Sequence, residues 1–284
     1  MLKKITDRIY YMPHRVKTDR PALGLVCGDK FSLIVDAGNS HKHATEFLKE
    51  AAELTTSPIK YLAITHWHWD HVFGIEAMNL ITICHYKTNE KLLEMQKLKW
   101  DDESLDERVR TGEEIEFCSS AMKLEIPYRD DLKIGKADIT FSDKIEIDLG
   151  GTSCIIENVK GDHARDSSII YVPTEKMMFL GDSICEDIYT GEWSYTLENL
   201  YPLITAIRKY DTDVYLFSHN LPQSRKEIND FFDELINIGE LVGQEVSVEK
   251  SMEKFKQGFG RMPSEAEVVT INSFINGNIK TRKQ

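Results

Sequence analysis

The stretch Thr65-His66-Trp67-His68-Trp69-Asp70-His71-Val72-Phe73-Gly74 decides how the whole chain is read. Of nine histidines in 284 residues, three fall between His66 and His71, with one carboxylate beside them. Such a cluster is poor core material, because buried polar groups need partners. It is a good ligand set for a borderline-soft divalent cation such as zinc. The plain alternative is a His-rich surface loop, and the surroundings weigh against it. Residues 59–65 read as a buried strand, so the histidines begin where a strand ends. Loops leaving strand ends are exposed yet firmly anchored, which is where α/β folds put chemistry.

Three distant residues share that placement. His163 follows the apolar run 155–160, Asp182 follows 177–180 in Phe179-Leu180-Gly181-Asp182, and His219 follows 214–217. Each alone carries little weight. Together with the first run, four strand-end loops offer five histidines and two aspartates. Strands lying side by side would bring these loops to one sheet edge.

The rest of the chain fits an α/β reading. Residues 22–28 and 31–36 predict a hairpin, 41–54 a helix ending before Pro58, 80–84 a strand and 88–99 a helix. Residues 100–136 are acidic and less regular, and predict a solvated, partly helical insertion. In a sharper reading it caps the substrate side through Trp100, Phe117 or Tyr128. Strands are predicted at about 137–148 and 152–160, then a hairpin of 167–172 and 176–180 turning at Pro173-Thr174-Glu175. A helix at 196–209 leads to a strand at 214–218, and the chain is helical in pattern from Leu221 onward. Two batches of strands flanked by helices fit two sheets packed face to face with helices outside.

Composition limits the function. The apolar share of 41% supports one large domain with a proper core. A net charge of −12, without a run of five Lys/Arg, argues against a binder of nucleic acid or anionic membrane, which needs a basic face. No secretory-type apolar segment follows Met-Leu-Lys-Lys, and no stretch nears the roughly 20 apolar residues of a membrane span. The expected location is the cytoplasm, and the expected partner is a small-molecule substrate. Cys27, Cys84, Cys118, Cys154 and Cys185 are dispersed, form no C-x-x-C, and read as free thiols, with Cys84 and Cys154 in the core. There is no G-x-S-x-G elbow and no P-loop.

The pattern H-x-H-x-D-H, then a lone His, an Asp after Leu-Gly and a final His resembles the metallo-β-lactamase superfamily, over residues 20–220. The resemblance implies a four-layer αβ/βα sandwich of two mixed β-sheets with helices outside, with the metal site at one edge. It implies a catalytic domain of 1–220, and helices of 221–284 that pack on it or form a homo-oligomer contact. It implies that His66, His68 and His163 hold one metal ion, that Asp70, His71 and His219 hold a second, and that Asp182 bridges them. Two zinc ions per chain are expected, with iron or manganese as alternatives. The implied activity is hydrolysis of an ester-like, thioester, lactone or amide bond by a hydroxide held at the dinuclear site, with Asp70 also passing the proton to the leaving group. The alternatives are a β-lactamase-like amide hydrolase and a mononuclear iron oxidoreductase similar to persulfide dioxygenases.

Departures from the known branches are informative. β-Lactamases of this type usually carry Cys or Ser where Asp182 stands. Glyoxalase II-like thioesterases show Gly-Gly where Val72-Phe73-Gly74 follows His71. Lactonases of this family place a Tyr where Cys185 stands, whereas here Tyr189 and Tyr195 come later. Arg165 reads as a surface charge or a contact for an anionic group, and the segment 186–195, with Trp193, as pocket lining. The remaining histidines read as structural: His85 just past a strand, His41 and His43 capping a helix or exposed to solvent, and His14 in an early loop. Asp166 reads as a hydrogen-bonding neighbour of the site, and Trp67 and Trp69 as packing for the ligand loop.

Overall fold

The structure, a computed structural model, describes residues 1–283, the side chain of Lys283 excepted. The first sheet has the order β1 (Lys3–Lys4), β2 (Ile9–Met12), β3 (Leu23–Cys27), β4 (Ser32–Val35), β5 (Ile59–Ala63), β6 (Ile81–His85) and β7 (Ile139–Phe141). It is antiparallel as far as β4 and parallel from β4 to β7. The second sheet runs β13 (Gln223–Ser224), β12 (Val214–Phe217), β11 (Met177–Gly181), β10 (Ser168–Val172), β9 (Ser153–Asn158) and β8 (Lys144–Asp148). In it only β11 and β12 pair in parallel.

Alternation along the strands builds the layers. In β4 the side chains of Leu33 and Val35 face the second sheet, while Ile34 faces the helices of its own side. In β11, Met177 and Phe179 face the first sheet, and Met178 and Leu180 the opposite helical layer. Strands buried on both faces read as continuous apolar runs, which is what these segments are. The result is two mixed sheets with helices outside, as the family resemblance implied. One predicted strand is corrected. Residues 137–148 form two strands, β7 and β8, in different sheets, with the chain crossing at Ser142-Asp143. The apolar alternation has the same phase in both strands, and the polar run Ser142-Asp143-Lys144 is the one interruption that marks the break.

The helices follow local signals. α1 (His41–Leu54) starts at Ser40, whose hydroxyl accepts from the amide of His43, and it buries Ala44, Phe47 and Ala51. The ligand run continues into α2 (Trp69–Val72) and α3 (Ile75–Met78), and α4 (Tyr86–Met95) follows β6. The 100–136 segment is largely helical, as α5 (Asp102–Thr111) and α6 (Glu116–Glu125). It is bound to the body by buried Arg20, which reaches Glu46 on α1 and Glu125 on α6 at 2.7 and 2.6 Å. Trp100 belongs to the core, packed edge-on against Phe73, and Tyr128 is almost fully exposed. Of the three aromatic residues considered for a cap, only Phe117 reaches the site cavity.

On the other face lie α7 (Leu197–Arg208), α8 (Arg225–Val242), α9 (Val248–Phe259) and α10 (Glu265–Lys283). α8 opens with a capping box of Ser224 and Glu227. Phe232, Phe255 and Phe274, one from each of the last three helices, are buried in the same cluster as Met178 and Leu180. No helix among the described residues is long and apolar enough to cross a membrane.

The two sheets pack closely at Gly24, where a Cβ would come within 2.3 Å of the buried Phe179 ring. Gly24→Ala is expected to lower stability by about 1–3 kcal/mol through overpacking. Urea denaturation checks this, and Phe179→Leu in the same chain should restore part of the loss. An unchanged midpoint in Gly24→Ala would show that the ring yields freely.

Candidate metal centre

Four loops meet at one edge of the sandwich. His66 lies in the loop after β5, His68 caps α2, and Asp70 and His71 sit inside α2. His163 comes from the loop between β9 and β10, Asp182 directly follows β11, and His219 lies just past β12. The two sheets are pinned together here. Ser168 donates its amide to the Thr65 carbonyl at 2.8 Å, and Ala22 donates to the Ser218 carbonyl at 2.6 Å. Gly181, with φ +57°, lets β11 turn against Thr65, where a Cβ would come within 2.8 Å of the threonine side chain.

The side chains form two groups, His66/His68/His163 and Asp70/His71/Asp182/His219, with donor atoms inside each group within 4.8 Å of one another. The first three imidazoles have ring centroids 4.4 to 5.1 Å apart. Asp182 faces both groups. Its Oδ2 lies 3.2 Å from His71 Nε2 and 3.3 Å from His219 Nε2, and 3.8 and 4.0 Å from Nε2 of His163 and His66. Asp70 Oδ2 stands 3.1 Å from His71 Nε2 and 3.3 Å from His219 Nε2. All seven sequence-derived candidates therefore share one place.

Hydrogen bonds orient the rings. His163 Nδ1 donates to the Glu186 carbonyl at 2.9 Å, which turns Nε2 inward. Thr65 gives its hydroxyl hydrogen to Asp36, so its oxygen accepts from His66 Nδ1 at 3.1 Å. His71 Nδ1 donates to Asp36 Oδ2 at 2.8 Å. One carboxylate thus sets two imidazoles. Asp36 itself is buried with φ +61°, a conformation that costs a non-glycine residue about 1 kcal/mol and is held here by its contacts to Thr65 and His71.

The inward nitrogens have nothing to bind. Nε2 of His66, His68 and His163 are buried without a hydrogen-bond partner. Burial pushes the pKa of all three imidazoles down, so they are neutral and keep a lone pair. In the second group burial also pulls His71 and His219 down. The carboxylates of Asp70 and Asp182 outweigh it, and with Asp36 beside His71 they hold both imidazoles well above the ordinary range. Clustered carboxylates thus demand positive charge, and the orphaned nitrogens supply lone pairs. Both requirements are met by divalent metal ions, and the donor set of five imidazoles and two carboxylates suits them.

Two acidic neighbours of the site, Asp19 and Glu114, carried no signal in the sequence reading, whereas the 186–195 segment lines the cavity as expected. Asp19 lines the cavity 3.6 Å from His219, its carboxyl pushed up to about 7 by burial and by Asp70. Tyr189 packs on His68 and Trp67 and donates to the buried Glu114 at 3.1 Å. The 186–195 loop is held by α10: Tyr195 donates its amide to the Ser273 carbonyl, Asn276 donates to the Trp193 carbonyl, and Lys280 donates to Ser194.

The other histidines stay outside the centre. His85 caps α4, and Asp166 accepts from Thr88 at 2.7 Å. His43 corrects the reading of a capping or exposed residue. It is buried against Gly38, Ser40 caps the helix instead, and burial lowers its pKa to about 3. Trp69 is buried in the core and Trp67 is partly exposed.

The model of the metallo-beta-lactamase superfamily matches residues 22–219 of this chain. The chain belongs to that superfamily. A relative from Caenorhabditis elegans, named "Beta-lactamase-like protein 2 homolog", is 26% identical over 180 residues, which are 62% of this chain. The match spans 47% of that protein, about half its length. Among solved structures, a metallo-β-lactamase from Pontibacter korlensis aligns over 82% of this chain and 97% of its own, with TM-score 0.55 and 16% identity. The sec-alkylsulfatase Pisa1 from Pseudomonas sp. aligns over 96% of this chain and 49% of its own, with TM-score 0.66 and 13% identity. These structures share the fold.

Carboxylates that orient ligating histidines typically contribute 10- to 100-fold, in order of magnitude, to metal affinity. Asp36→Asn should therefore lose about that factor in a competitive zinc titration. His85→Ala should leave metal content unchanged. Wild-type affinity in Asp36→Asn would show that the carboxylate does not orient the ligands.

Proposed function

We propose that the protein is a hydrolase that uses two zinc ions to cleave an ester-like, thioester, lactone or amide bond in a small molecule. The observation that carries this reading is the pair of donor groups joined by Asp182, whose carboxylate faces the His66/His68/His163 group and the Asp70/His71/His219 group together. With two such ions bound, the site supplies a hydroxide nucleophile at neutral pH, by lowering the pKa of water from about 16 to about 7, and polarises the acyl oxygen.

The chain's own residues do the rest. His66, His68 and His163 would hold one ion, Asp70, His71 and His219 the other, and Asp182 both. Two carboxylates against four positive charges leave room for an anionic nucleophile. Asp70 lines the cavity and is aimed at His71 and His219, so its free oxygen can take a proton and deliver it to the leaving group. Trp193, Phe117 and Ile188 line the same cavity and limit water around the reacting bond. Asp19 lines the same cavity 3.6 Å from His219 and adds negative charge beside the second donor group. The second donor group is what favours two ions over the single iron of an oxidoreductase, which would leave Asp70, His71 and His219 without a task. The acidic balance of the chain favours a small substrate over a nucleic acid or a membrane.

Metal analysis of protein purified without added metal, with a panel of chromogenic esters, thioesters, lactones, phosphodiesters and a cephalosporin, tests this. About two zinc ions per chain and turnover of an acyl substrate are expected. Asp182→Ala should abolish turnover and reduce bound metal. Full activity in that variant, or about one iron per chain in the wild type, contradicts the proposal.

A further inference from the structure

Two apolar cavities open on the centre. One, of about 190 Å³, is walled by Ile115, Phe117, Ile188 and Trp193. The other, of about 280 Å³, is walled by Ile184, Tyr195, Phe217 and Phe231. Asp182, Cys185 and His219 line both, so the cavities meet at the carboxylate shared by the donor groups. Among the described residues, neither lining contains a Lys or Arg. The charged side chains beyond the centre that do line the first cavity, Asp19 and Glu186, are acidic. The nearby cations, Arg165 and Lys280, line a third and more polar cleft that reaches the centre only at His68 and His163, away from Asp182 and His219, and Lys280 is already bound to Asp187 and Ser194.

These linings select by charge. A substrate carboxylate or phosphate placed among the apolar walls of either cavity, away from the centre, would give up its hydration and find no Lys or Arg to replace it. An alkyl or aryl group there gains from leaving water. Resting on the hydrolytic reading above, we propose that the substrate is an uncharged ester-like molecule with an apolar group on each side of the scissile bond, one group in each cavity. The reaction adds water across the acyl bond. The acyl carbon gains the water oxygen, its bond to the leaving oxygen breaks, and one proton passes to that oxygen, yielding an acid and an alcohol.

Binding and turnover are tested separately on the full zinc-loaded chain. Isothermal titration compares octanohydroxamate with suberic monohydroxamate, a chain of equal length that ends in a carboxylate. The neutral probe should bind about tenfold tighter or more, since its tail stays in apolar surroundings. Phe117→Ala with Trp193→Ala, or Phe231→Ser in the second cavity, should weaken octanohydroxamate and leave acetohydroxamate unchanged. For turnover, para-nitrophenyl butanoate is compared with the para-nitrophenyl hemisuccinate, and phenyl butanoate with carboxyphenyl butanoate, each rate divided by that with free hydroxide. The neutral member should show the higher kcat/KM in both pairs. Equal or tighter binding of the acid-terminated hydroxamate, no hydroxamate binding, or preference for a charged ester overturns the inference. A retained preference for octanohydroxamate with none of the esters, thioesters, lactones or amides turned over supports the uncharged apolar ligand and defeats the hydrolase reading.

Discussion

Buried polar atoms in folded proteins are almost always partnered. Here three imidazole nitrogens, on His66, His68 and His163, are buried together without a partner. Beside them Asp70 and Asp182 crowd two carboxylates into the same volume. Left to themselves these groups would destabilise the fold, because unpaired donors, acceptors and like charges each cost free energy inside a protein. The arrangement makes sense when cations complete it. The lone pairs and the negative charge are then both satisfied, and binding free energy becomes folding free energy.

Holding such a cluster in place takes a rigid frame. Thr65 is the point where the frame closes. Its carbonyl ties the first sheet to β10, its side chain packs against Gly181, and its hydroxyl relays Asp36 to His66. Asp36 accepts a left-handed backbone to reach Thr65 and His71 at once. Strain is stored where orientation matters, a common arrangement at functional sites. The other wall is held from a distance. α10, at the far end of the chain, fastens the 186–195 loop through Ser273, Asn276 and Lys280. The last helices therefore shape the cavity without donating a side chain to the metal centre.

Much of this was legible in the sequence, for a physical reason. A ligand-type residue directly after an apolar strand must lie at a sheet edge, and that rule found His163, Asp182 and His219. Applied once more, it would have found Asp36, which follows the apolar run of β4. The double-sided burial of β4, β10 and β11 was visible as uninterrupted apolar residues. Three kinds of feature were not visible. The split of residues 137–148 between sheets is marked only by the short polar run Ser142-Asp143-Lys144, after which the alternation resumes in the same phase. The burial of His43 depends on the close approach of Gly38, a tertiary contact. Asp19 and Glu114 lie in segments without periodicity, and only the folded chain brings Asp19 to the cavity and Glu114 against Tyr189.

The two apolar cavities follow from the same frame. Loops that leave one sheet edge carry the donors, and the segments between them, 115–118, 184–195 and 217–231, carry apolar walls. The central claim, that these loops converge on a pair of cations, is tested most directly by anomalous diffraction at the zinc edge from crystals of the zinc-loaded protein. Two peaks about 3.5–4 Å apart are expected, with donor atoms of His66, His68 and His163 around one, Asp70, His71 and His219 around the other, and Asp182 touching both. A single peak away from these residues, or none with the three histidine nitrogens bonded to protein groups instead, would contradict it.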